Sequence, residues 1–97
     1  MIGQEKKLYI FTAFQYITGI KEDLIMGKSR EDQIVKARQM LCYYLYEFES
    51  MSYASIGRFM GLDHSTVIHS VNKIKGSLGC RQIVDNIVDK ISTYTQG

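Results

Sequence analysis

The chain of 97 residues contains no proline. Hardly any run reads as a strand, so the expectation moves toward an all-helical protein. Cysteine is scarce: Cys42 and Cys80 are the only ones, and neither belongs to a CxxC pair. They read as buried free thiols in a reducing compartment rather than as a disulfide staple. Long apolar runs are missing too. No stretch approaches the ~20 residues that a membrane span needs. The opening MIGQEKKLYIFTAF lacks the uninterrupted apolar segment and small-residue cleavage site of a signal peptide. A cytoplasmic protein with no membrane partner is therefore expected. An excess of one charge is absent as well, with 12 Lys and Arg against 10 Asp and Glu. That balance neither demands nor excludes a polyanionic partner, because the distribution of charge matters more than its sum.

What is present is an ordinary globular composition, 45% apolar and 23% charged, over residues 1–97, a length that fits one domain with one core. Five to six helices follow from the patterning. Glu5 to Thr18 reads as a first helix, with Leu8, Phe11, Phe14 and Ile17 at helical spacing and Gly19 as its stop. Ile20 to Met26 fits a short helical turn. Gly27 to Arg30 is a basic loop punctuated by glycine. From Glu31 to Glu49 the stripe Ile34, Ala37, Leu41, Leu45 and Phe48 predicts a long helix. Glu31 and Asp32 suit its positive end.

Ser52 is placed to cap a short helix from Tyr53 to Met60, and Gly61 ends it. Asp63 caps the next helix, which is predicted to run to about Leu78, with Gly79 closing it. A final amphipathic helix carries Ile83, Val84, Ile87, Val88, Ile91 and Tyr94. The short helix, glycine-containing turn and longer helix at about 52–78 match a helix-turn-helix, with Ala54, Ile56 and Gly57 at the expected close crossing.

With Val67 at zero on a helical wheel of about 100° per residue, Val71, Ile74 and Leu78 fall within about 40° of it. Ser65, Thr66, His69, Asn72 and Lys73 gather on the opposite side, and Asp63 and His64 occupy the first turn. This face could be a metal site, an acid–base site, a solvated surface or a reading surface. His64 and His69 are splayed at this spacing, and no further Cys or carboxylate pair completes a zinc set. No nucleophile motif, carboxylate cluster or cofactor loop supports catalysis. The run Gly27-Lys28-Ser29 resembles the end of a phosphate-binding loop, but Glu22 stands where that motif needs glycine and no strand precedes it. The expectation is a non-enzyme with no metal, no cofactor and no small-molecule substrate. In a helix-turn-helix the first turn of the second helix enters the DNA major groove. There Asp63 can accept from cytosine, Ser65 and Thr66 can take either hydrogen-bonding role, and His64 can bond a base edge. Lys73 lies where a phosphate would be met.

The segments Arg38-Gln39-Met40 and Asp63-His64-Ser65-Thr66-Val67 with His69, and the loop residues Lys28 and Arg30, resemble the C-terminal DNA-binding domain of the bacterial replication initiator DnaA. The resemblance runs from about Ile20 to Ile74, preceded by an extra N-terminal helix within 1–19; the final helix within 20–97 is compatible with it. It implies an all-α helix-turn-helix bundle that binds double-stranded DNA. Arg30 inherits the minor-groove role. Asp63, His64, Ser65 and Thr66 inherit base reading. Lys28, Arg38, Gln39, His69 and Lys73 inherit phosphate contacts. The chain departs from the family where Gly61-Leu62 stands in place of a Gly-Gly-Arg that is one residue longer and touches DNA. Glu31 and Asp32 also add negative charge beside Arg30.

The family's ATPase domain does not fit in 97 residues, so the chain is either an excised domain or a small stand-alone protein. The initial Met and the extra helix favour the second. The function expected is sequence-specific reading of duplex DNA in replication initiation or its regulation. The alternative is a transcription regulator or a protein-interaction module that kept the fold. Leu62 and the cluster Tyr43, Tyr44 and Tyr46 motivate that alternative, with a protein of the replication or transcription machinery as partner.

Overall fold

A computed structural model describes residues 2–96. Among the described residues there are six α-helices: α1 (Gln4–Thr18), α2 (Glu22–Ile25), α3 (Asp32–Phe48), α4 (Tyr53–Met60), α5 (His64–Lys75) and α6 (Leu78–Thr95). No strand occurs among them. The all-helical expectation holds.

Local chemistry sets the boundaries. Gly19 takes the left-handed conformation and its N–H donates to the Gln15 carbonyl, which stops α1. Ser52 Oγ accepts from the Ser55 N–H at 3.1 Å and starts α4. Ser50 (φ 56°) lies in the left-handed region, and the next N–H, that of Met51, reaches back to the Leu45 carbonyl at 3.1 Å. That turn separates α3 from α4.

One boundary differs from the expectation. α5 ends at Lys75 rather than near Leu78, because the Ser77 N–H turns back to Ile74 and the Ser77 hydroxyl accepts from the Cys80 N–H, opening α6. Gly79 lies inside the first turn of α6 instead of closing α5. Leu78, placed on the core face by the wheel, is 63% exposed. The start of α1 and the end of α3 show the same kind of shift. Leu8 and Phe48 are exposed, while α1 buries Ile10, Phe11, Ala13 and Phe14.

α3 is the central strut. It packs along α5 and also meets α2, α4 and α6, whereas α1 lies against α6. Ala37, Leu41 and Leu45 of α3 and Val67 and Val71 of α5 are all fully buried, in one cluster with Ile56 and Ile74. Each fully buried Leu, Val or Ile side chain among them contributes about 1.5–3 kcal/mol. The position of α5 is therefore set by α3 more than by any other element.

Candidate nucleic-acid interface

The turn between α4 and α5 is built from glycine and a folded-back amide. Gly61 takes φ 67°, a region open to glycine at little cost. The Leu62 N–H donates to the Gly57 carbonyl at 2.9 Å. A Cβ on Gly57 would stand 2.8 Å from the Leu62 carbonyl oxygen. Gly57 is buried, as expected at a close crossing, and so is Ile56; Ala54, assigned to the same crossing, is exposed.

Asp63 then starts α5, its Oδ2 accepting from the Ser65 N–H at 3.0 Å. The second carboxylate oxygen is left for another donor. Asp63, His64, Ser65, Thr66, His69, Asn72 and Lys73 are all exposed, and Val67, Val71 and Ile74 beneath them are buried. The polar residues thus form one presented face. Ser70 borders the core face and is buried, with its hydroxyl donating to the Thr66 carbonyl at 2.8 Å.

An aromatic ladder absent from the sequence reading flanks the start of this helix. The Tyr46 and Tyr53 rings stack at 4.7 Å and 4°, and the Tyr53 ring lies 6.0 Å from that of His64. Lys75 closes the other end, with Nζ 5.1 Å from the Tyr46 centroid and 3.8 Å from Glu47. His64 is held at one flank of α5 rather than at the centre of its outer face. No spacing rule joins Tyr46 on α3 to Tyr53 on α4, so the ladder had no signature in the sequence.

The basic loop between α2 and α3 exposes Lys28 and Arg30. Arg38 and Gln39 of α3 are half-buried. The Arg38 guanidinium donates to the carbonyls of Ile25 at 2.8 Å, Ser29 at 3.0 Å and Leu24 at 3.2 Å. It is the main tie between the loop and α3. Of the residues that motivated an interaction module, Tyr44 is buried with its hydroxyl donating to Glu49 at 2.6 Å, while Tyr43, Tyr46 and Leu62 are half-buried and pack against the core.

Among the described residues no group of His, Cys, Asp and Glu is arranged to hold a metal ion. A cavity of about 660 Å³ opens beside Ser52, Arg58 and Phe59, away from the polar face of α5. Burial pushes the Cys42 thiol up to about 11, and its Sγ lies 3.5 Å from Met60 Sδ. No helix among the described residues is long and apolar enough to cross a membrane.

Residues 9–74 match the family described as the bacterial DnaA protein helix-turn-helix. The chain is 43% identical over 79 residues to the chromosomal replication initiator protein DnaA of Deinococcus radiodurans, covering 81% of this chain and 17% of that protein. It is 38% identical over 69 residues to the protein of the same name from Kosmotoga olearia, covering 71% of this chain and 15% of that protein. For the protein of the same name from Cutibacterium acnes the figures are 36% over 74 residues, 75% and 15%. The chain thus matches only a minor part of the length of these relatives.

Proposed function

The chain belongs to the bacterial DnaA helix-turn-helix family, and from that membership we propose that it reads a specific sequence in double-stranded DNA, in replication initiation or its regulation. The observation that carries the reading is the first turn of α5. Asp63, His64, Ser65 and Thr66 are exposed together on a helix whose opposite face is locked into the core. A major groove about 12 Å wide admits one such helix. Asp63 keeps one carboxylate oxygen for a cytosine amino group, Ser65 and Thr66 serve as donor or acceptor, and His64 bonds a base edge.

Arg30 enters the neighbouring minor groove from the basic loop. Lys28, Gln39, His69 and Lys73 meet phosphates on either side and fix the register without reading sequence. The molecule measures 37 × 26 × 24 Å, so one copy covers about one turn of duplex, ~34 Å. Leu62 stands where the family's DNA-touching arginine would be and faces the core. The preferred site therefore differs from the usual family site at the base pairs that arginine serves.

Selection of bound duplexes from a random pool tests the proposal. A single enriched motif about one helical turn long is the expected result. Recovery of an unbiased pool would overturn it.

A further inference from the structure

The resemblance assigns Arg38 to a phosphate, yet its guanidinium is already occupied. Its three hydrogen bonds go to carbonyls of Leu24, Ile25 and Ser29, spread over the end of α2 and the loop beyond it. Leu24 and Ile25 close α2, where helix carbonyls have no partner within the helix and carry the negative end of its dipole. The Leu24 carbonyl also accepts from the Gly27 N–H at 3.3 Å, and the Ser29 hydroxyl accepts from the Glu31 N–H at 3.2 Å. The loop path from Met26 to Glu31 is therefore pinned on both sides of Lys28 and Arg30. Arg38 itself rides on α3, next to Ala37, which is fully buried.

We propose that Arg38 is a positioning residue: it latches the basic loop to α3 so that Arg30 is held, before DNA arrives, at a fixed offset from α5. The proposal rests on the DNA-reading function above and goes beyond it by assigning minor-groove specificity to a residue that need not touch DNA. Two physical points support it. A guanidinium presents five N–H groups in a rigid planar fork, so one side chain can satisfy three separated carbonyls where a lysine ammonium meets them as a single point charge. α3 also packs along α5, so a loop fixed to α3 is fixed relative to the recognition helix. An arginine inserted into a narrow minor groove distinguishes A·T from G·C steps by groove width and potential. That discrimination is lost when the loop samples many positions, even if every charge is kept.

Arg38→Lys separates a latch from a phosphate contact, because it keeps the charge and removes the fork. Arg38→Gln is carried in parallel in case the lysine variant fails to fold. In the free full chain, exchange of the loop amides that donate hydrogen bonds, those of Met26, Gly27 and Glu31, is expected to speed up about tenfold or more, with α3, α5 and α6 unchanged. On the selected duplex, Arg38→Lys is expected to lose the A·T preference that Arg30→Ala loses, with an unaltered salt slope. A loop as protected as in the parent chain overturns the latch. So does an Arg38→Gln variant that keeps the A·T preference while its salt slope falls by about 0.9, the mark of one lost phosphate contact. The exchange measurement needs no DNA. A parent chain that bound no duplex would defeat the DNA-reading function, and the loop would still decide the latch.

Discussion

Gly57 and Leu62 touch backbone to backbone: an N–H to carbonyl bond of 2.9 Å runs from Leu62 to Gly57, and a Cβ on Gly57 would meet the Leu62 carbonyl oxygen at 2.8 Å. The obstacle is main chain, which has no rotamer to escape into. Gly57→Ala is expected to destabilise the chain by about 1–3 kcal/mol, as overpacking does, and to weaken DNA binding by tilting α5. Urea unfolding checks the first effect; a variant as stable as the parent would contradict the packing described.

Asp63 has two jobs that substitution can separate. Asp63→Ala removes the cap to Ser65 and should cost about 0.5–2 kcal/mol of stability. Asp63→Asn keeps a capping oxygen, so the fold should remain within a few tenths of a kcal/mol. The asparagine amide adds a donor beside cytosine, so base preference should shift. Melting curves and repeated duplex selection measure the two effects. Unchanged preference in Asp63→Asn would remove Asp63 from the reading set.

The caps that start α4 and α5 and the glycine that ends α4 were legible because each acts within a few residues of itself. Ser52 and Asp63 offer an oxygen to a nearby N–H, and Gly61 accepts a positive φ. The end of α5 was not legible. Leu78 continues the apolar stripe of the wheel, so nothing local favours a stop; the chain turns at Gly76 and Ser77, and Ser77 caps α6 instead. The composition of the polar face could be read from periodicity. The latch of Arg38 and the stack of Tyr46 on Tyr53 could not, because they join groups from different elements whose proximity exists only after the helices pack.

Lys73 is exposed on α5 beyond the reading turn. Lys73→Ala should weaken binding to all duplexes by a similar factor and lower the slope of log affinity against log salt by about 0.9. Titrations at several salt concentrations measure this. An unchanged slope would place Lys73 away from the backbone of the DNA.

Stability should fall in alkali. Burial raises the Cys42 thiol from 9.0 to about 11. Burial first, then the bond to Glu49 and its charge, also raise the Tyr44 phenol above its ordinary 10.0. Both groups lose a proton more easily when unfolded. Their contribution is complete below about pH 9, the unfolded thiol value, and is lost as pH rises through the folded values. Urea midpoints should therefore drop between about pH 9 and 11, and Cys42 should resist alkylation near neutrality until the chain is unfolded. A flat midpoint across that window would contradict the burial of these groups.

His64 lies beside Tyr53, exposed at the start of α5, where its loss leaves the core intact. The most direct measurement is the affinity ratio between the selected duplex and a scrambled one, for the parent chain and for His64→Ala at the same salt. A lost base contact is worth about 1–3 kcal/mol, so the ratio should shrink about 5- to 150-fold while affinity for the scrambled duplex stays near that of the parent. An undiminished ratio in His64→Ala would contradict the account of α5 as a helix that reads DNA through its first turn.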